Sequence, residues 1–314
     1  MSALICGSIA YDNIMVFEGR FKEHILPDQI HILNVSFLVP DLRREFGGCA
    51  GNVAYNLRLL GGEPRIMATV GTDFGPYREW LTRQGVNLDH VLEVPGMLTA
   101  QAYITTDLDD NQITAFHPGA MNEAHRNAVP GGGKPGIELG IVSPDGRQGM
   151  LDHAQQMHAA GIPFMFDPGQ GLPMFDGDDL RHFVERATWV AVNDYEARLL
   201  VDRTGWSEEQ VAARVRALIV THGANGSTIR AGGECFRIPA VKPRAVLDPT
   251  GCGDAYRAGL LHGIARGLSW GDTGRLASLL GALKIAHKGT QNHTFTPASL
   301  TREFHAAFGH DLRL

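Results

Sequence analysis

Asp248-Pro249-Thr250-Gly251-Cys252-Gly253-Asp254-Ala255-Tyr256-Arg257-Ala258-Gly259 is the stretch that decides how this chain reads. The apolar run Ala245-Val246-Leu247 precedes it, and Ala255, Ala258, Gly259 and Leu261 follow at helical spacing. The pattern predicts a strand end, a glycine turn and a helix start. Gly251 and Gly253 allow close backbone packing and torsions that other residues resist. The free N–H groups of the first helical turn form an anion site, reinforced by the helix dipole. Asp254 falls among those donors, where its carboxylate is expected to stay ionised and to accept a proton from an alcohol. Such a turn suits transfer of a phosphoryl group to a hydroxyl. The plainer alternative is a capped helix with an aspartate in its first turn.

Working outward, 314 residues allow one large α/β domain or two smaller ones. A hydrophobic content of 44% supplies a sizeable core. The net charge of −6 argues against nucleic acid or an anionic membrane as the main partner. Cys6, Cys49, Cys235 and Cys252 are far apart, as expected of reduced thiols in the cytoplasm rather than disulfides or a zinc site. The fourteen histidines include no H-E-x-x-H arrangement. The first residues lack the basic and apolar regions of a signal peptide, and no run has the length of a membrane span.

Residues 3–6 read as a short buried strand ending at Gly7, with Asp12 and Asn13 just beyond its carboxyl end, where open α/β sheets place ligands. Residues 14–17 and 30–39 read as strands with no helix between them. A helix is expected from Ala50 to Leu60, stopped by Gly61-Gly62, then a strand at 65–70 and a helix from Pro76 to Gln84. Residues 100–106 and 112–116 make a hairpin across the polar residues 107–111. A turn centred on Asp109-Asp110 makes Tyr103 and Phe116 cross-strand neighbours on one face. The glycine-rich residues 129–136 read as a surface loop.

From residue 137 the beat is regular. Strands at 139–142, 163–166, 189–192 and 217–221 alternate with helices at 146–160, 179–187, 194–202 and 207–216. A hairpin around Gly232-Gly233 follows, and helices near 254–267 and 271–288 close the chain. Alternation of this kind means an α/β fold: a central, mostly parallel sheet with helices on both faces. The two β excursions lack a core of their own, so residues 1–314 read as one domain carrying a small β-sheet lid, formed by about 13–46 and 98–118.

Asp12, Asp167, Asn193, Thr221 and Asp254 stand at expected strand ends. Asn193 with Glu196 makes either a capping box or a pair holding hydrated Mg²⁺. Residues 221–226 make a plain turn or a loop around a nucleotide, with Gly223 and Gly226 its flexible points. No P-loop and no dinucleotide fingerprint is present, so the anion site falls to residues 251–254.

Taken together these residues resemble the ribokinase-like (PfkB) family of sugar and nucleoside kinases. Residues 47–71 are similar to its N-terminal signature, with Gly47, Gly48, Asn52, Ala54, Gly61 and Gly71 at the family's separations. Residues 248–259 resemble its C-terminal signature, except that Cys252 stands where Ala or Gly is usual. The resemblance implies Asp254 as catalytic base and Gly251, Cys252 and Gly253 as the anion hole. It implies Asp12, Gly47, Gly48 and Asn52 on the ribose-like ring. It further implies Asn193 and Glu196 ordering Mg²⁺ through water, Thr221, Gly223 and Gly226 around ATP, and K⁺ near the anion hole in many members. Residues 116–121 look like the family's bacterial adenosine and nucleoside kinases. Tyr103 and Phe116 offer flat faces for a base, and Gln170 an amide for its edge. The expected activity is ATP- and Mg²⁺-dependent phosphorylation of a nucleoside 5′-hydroxyl, by a monomer or a homodimer joined through the lid. The alternatives are a ribokinase-type sugar kinase and a nucleoside sensor without turnover.

Overall fold

The structure is a computed structural model and describes residues 1–25, 35–109, 111–130 and 136–312. The chain opens with β1 (Ser2–Cys6), β2 (Ala10–Val16), the single-turn α1 (Phe21–His24) and β3 (Asp41–Gly47). Next come α2 (Cys49–Leu59), β4 (Glu63–Val70), α3 (Gly75–Arg83) and β5 (Asn87–Glu93). The hairpin β6 (Ala100–Thr106) and β7 (Gln112–His117) precedes β8 (Leu139–Val142). An alternating run continues through α4 (Arg147–Ala159), β9 (Phe164–Phe166), α5 (Gly177–Arg186), β10 (Trp189–Asn193), α6 (Asp194–Thr204), α7 (Glu208–Ala212) and β11 (Ala217–Thr221). The hairpin β12 (Ser227–Ala231) and β13 (Glu234–Ile238) leads to α8 (Cys252–Ala265), α9 (Trp270–Ile285) and α10 (Pro297–Phe308).

Among the described residues nine strands form the main sheet, in the order β13-β12-β11-β10-β9-β8-β1-β4-β5. From β11 to β5 every pairing is parallel, and the β11–β12 and β12–β13 pairings are antiparallel, so that β12 alone is reversed among these strands. Strand residues alternate between two cores, as a sheet covered on both faces requires. Ala3, Ile5, Ile141, Ala191 and Ile219 join the core under α2, α3, α8 and α9. Leu4, Cys6, Val142, Val190, Val192, Leu218 and Val220 join the one under α4, α5 and α6. Chain order reverses at β1, which lies between β8 and β4. Such a switch point opens a crevice beyond the strands' carboxyl ends, where ligands bind in folds of this kind.

A separate sheet, β3-β2-β6-β7, stands apart from the main one. Here the sequence expectations need correcting. The strand expected at 30–39 runs instead over Asp41–Gly47; residues 26–34 lie outside the described residues, and 35–39 carry no strand. One helical turn, α1, interrupts the polar stretch because Phe21 turns inward, next to Phe17 and Phe37. Asp12 follows the end of β1, yet it stands within a strand of its own, as the third residue of β2.

The hairpin register also differs by one residue. Phe116 pairs with Ala102, and Tyr103 pairs with Ala115. A one-residue slip in a strand sends a side chain to the opposite face, so Tyr103 and Phe116 do not share one. Asp110, half of the expected turn centre, lies outside the described residues, as do 131–135 of the glycine-rich loop. The strand β5 and the helix α10 fall on residues for which no element was expected. The helix expected at 207–216 ends at Ala212.

Candidate active site

No strand leads into the 248–259 stretch. Val246 and Leu247 are exposed, and the backbone N–H groups of Leu247 and Asp248 donate to the Ile285 carbonyl at the end of α9. The Asp248 carboxylate shapes the turn by accepting from the Thr250 N–H at 2.9 Å and the Gly289 N–H at 2.9 Å. Gly251 is the N-cap of α8 with φ of 79°, a left-handed torsion that glycine adopts without strain. The Cys252 N–H donates to the Pro249 carbonyl at 3.2 Å, so one of the three expected anion-hole amides is engaged inside the turn. The first-turn amides of α8 that follow, at Gly253 and Asp254, have no intrahelical acceptor by position. The Cys252 thiol lies 3.9 Å from the Asp248 carbonyl, and burial pushes it up to about 11, so it stays a neutral side chain.

Asp254 sits in the first turn of α8, and its carboxylate accepts from the Asn52 Nδ2 at 2.8 Å. The other end of that amide, Oδ1, accepts from the Gln291 Nε2 at 3.1 Å. Asn52 therefore aims its donor at Asp254 and is held in that orientation from behind. Burial raises the Asp254 carboxyl to about 6, partly offset by the Asn52 bond. A carboxyl raised to about 6 is still largely ionised at pH 7 and takes up its proton just below that.

Asp12 reaches the same place from the second sheet. Burial and then the charges of Asp254 and Asp248 raise its carboxyl to about 6 as well. Gly47 pairs across β2–β3 with Ala10, and a Cβ there would lie 2.4 Å from the Asp12 carboxylate. Gly48, with φ of 83°, lets the chain turn directly from β3 into α2. These glycines allow the strand carrying Asp12 and the helix carrying Asn52 to approach.

The remaining expected residues separate into three places. Asn193 and Thr221 are register partners at the ends of β10 and β11. Asn193 and Glu196 form a complete capping box, in which Glu196 also accepts from the Asn193 Nδ2 at 2.8 Å. Gly223 and Gly226 bound a short 3₁₀ turn after Thr221, both at positive φ. Gln170 is exposed on the turn after β9. Phe116 is on the same face of the second sheet as Asp12, through the pairings Asp12–Ala102 and Ala102–Phe116. Tyr103 takes the other face with Asn13, donating its hydroxyl to Gln101 at 2.8 Å.

A family model described as pfkB family carbohydrate kinase matches residues 22–297. The chain belongs to this family. It is similar to the Burkholderia thailandensis nucleoside kinase solved in complex with inosine, at 56% identity and a TM-score of 0.89, covering 98% of this chain and 99% of that one. The structure of that enzyme in complex with ADP-inosine gives 57% identity and a TM-score of 0.87, covering 99% of both chains. The nucleoside kinase of Methanothermobacter thermautotrophicus is 30% identical over 312 residues, 96% of this chain and 97% of its own length.

Around the site of this pfkB-family kinase lie residues that the sequence reading passes over. Arg257, one turn after Asp254, is buried and donates to Asp167 at 3.0 Å and to the Ala191 carbonyl at 3.3 Å, and it lies 4.0 Å from Glu196. Burial pushes Asp167 and Glu196 upward while the guanidinium pulls both down, so the cluster links the ends of β9 and β10 to α8. Its signal was available, since an arginine amid small and apolar helix residues needs a buried partner. Gln291 lies on an irregular segment with no periodicity to single it out.

Proposed function

We propose that this kinase transfers the γ-phosphoryl group of ATP to the ribose 5′-hydroxyl of a nucleoside, with Asp254 as general base. The observation that carries the reading is the convergence of Asp254 and Asp12, one from the first turn of α8 and one from the second sheet. Asp254 accepts the hydroxyl proton as the oxygen attacks phosphorus in line. The first-turn amides of α8 stabilise charge on the transferring group, with Gly251, Cys252 and Gly253 forming the turn around it. Asp12, Gly47 and Gly48 border the ribose, and Asn52 orients Asp254. Inosine bound to the Burkholderia relative supports a nucleoside acceptor, and ADP there supports ATP as donor. Phe116 supplies a stacking face on the Asp12 side of the second sheet, which serves as the lid. Gln170 is the candidate for the base edge.

Asn193, Thr221, Gly223 and Gly226 line the ATP end. Among the described residues no three His, Cys, Asp or Glu side chains form a metal cage. Glu196, engaged with Asn193 in the capping box, suits a hold on Mg²⁺ through water. Bound Mg²⁺ supplies charge neutralisation on the phosphates.

The test is kcat/KM with Mg-ATP for a panel of purine and pyrimidine nucleosides beside free ribose. Nucleosides are expected to lead, and ribose preferred over all of them would replace this reading with a sugar kinase. Exposed Leu42, Tyr103 and Ile113 on the second sheet support a homodimer formed through it, which light scattering measures directly.

A further inference from the structure

Lys284 is fully buried near the end of α9, with none of its surface exposed. An ammonium in that position costs free energy unless oxygens surround it. Its Nζ donates to the Asp248 carbonyl at 2.8 Å and to the His287 carbonyl at 3.3 Å, and it stands 4.0 Å from the Asp248 Oδ1. Two main-chain carbonyls and a carboxylate, at the carboxyl end of a helix, are a donor set suited to a monovalent cation. Here the chain's own ammonium occupies it.

The position of that ammonium gives it reach. Asp248 begins the turn that ends at Gly251, and its carboxylate ties Thr250 to Gly289. The segment after Gly289 supplies Thr290, which packs beside Gly251 and donates to the Phe46 carbonyl, and Gln291, which holds Asn52. The two strands of backbone that floor the anion site therefore meet at one positive charge. Burial lowers the Lys284 pKa, opposed by the Asp248 charge.

We propose that the Lys284 ammonium is the resident cation of this anion site, holding residues 248–251 in place, so that K⁺ has no room there and turnover does not depend on it. Lys284 is a positioning residue acting through Asp248. The inference rests on the kinase reading only for its rate measurement; its melting measurement needs no acceptor and fails separately.

The experiment compares K⁺ with tetramethylammonium at equal ionic strength, for the wild type and Lys284→Ala. Wild-type kcat should change by less than about twofold, the size of ordinary salt effects. Lys284→Ala should lose about 10²-fold in kcat without K⁺, the scale of one lost electrostatic stabiliser, and K⁺ should restore about tenfold of it. In melting curves without nucleotide, K⁺ should stabilise Lys284→Ala and leave the wild type unmoved. Strong activation of the wild type by K⁺ would overturn the proposal. So would a folded Lys284→Ala protein that turns over normally without K⁺ or gains nothing from it. Should Lys284→Ala fail to fold, the wild-type measurements decide alone.

Discussion

Asp254 and Asp12 are two carboxyls raised to about 6 by burial, within range of each other's charge. A general base works only when deprotonated, so kcat/KM should hold steady above pH 7 and fall as the pH drops through about 6. Because the two carboxylates repel each other, their protons are lost in separate steps, so the acidic limb belongs to both carboxyls together and should be broader than a single titration. Rate profiles from pH 4.5 to 8 would reveal a flat response if neither group must be ionised. Asp254→Asn should lower kcat by about 10²–10⁴-fold, since the amide keeps the shape and a hydrogen bond but takes no proton. Calorimetry with the best nucleoside should meanwhile show binding nearly unchanged. Turnover close to that of the wild type would assign the base to another residue.

At the scale of elements, the register of β6 against β7 separates two aromatic side chains that sequence alone treats as equivalent. Phe116 shares the face of Asp12, whereas Tyr103 lies on the reverse and is tied to Gln101. Phe116→Ala should therefore raise nucleoside KM roughly tenfold, matching about 1–3 kcal/mol for a stacked base, with ATP KM little changed. Tyr103→Ala should leave nucleoside KM within about twofold, and the opposite ranking would contradict the register argument. The same pair shows where legibility ended. The α8 turn was readable because two glycines and an aspartate at a helix start have few physical uses. The parallel sheet was readable because strands and helices alternated in regular lengths. Register in the hairpin depended on one turn residue, and a shift of one position inverted the outcome. The residues preceding Asp248 look like a strand by composition, yet Val246 and Leu247 are exposed, and the Leu247 N–H bonds to the end of α9 rather than to a sheet. Arg257 and Lys284 escaped notice because charged residues in helices are ordinarily solvated, and only their burial makes them informative.

For the whole molecule, stability carries its own pH signature through Asp145, which lies after β8. Its Oδ1 accepts from the Gly146 N–H, its Oδ2 has no partner among the described residues, and burial raises it to about 8 from 3.8. The folded chain therefore keeps a proton that the unfolded chain has released. Stability should fall as pH rises between those values, by up to about 1.4 kcal/mol per unit, and level off above pH 8. Urea unfolding midpoints at pH 6 and pH 8 measure this, and Asp145→Asn should flatten the difference; an unaltered slope would remove Asp145 as its source. The second sheet carries a different consequence, for how the chain assembles. Ala10 pairs with Ala100, so β2 and β6 meet only after ninety positions of chain have been drawn together. Between them lie α1, β3, α2, β4, α3 and β5, which include both strands of the main-sheet wing beyond β1. Closing so long a loop is entropically unfavourable until that wing is in place. During synthesis or refolding, the hairpin that bears Asp12 should wait, its edge unpaired, for a partner made much later. The last surface to mature is thus the one expected to close over the acceptor, and slow refolding should restore native fluorescence before it restores turnover.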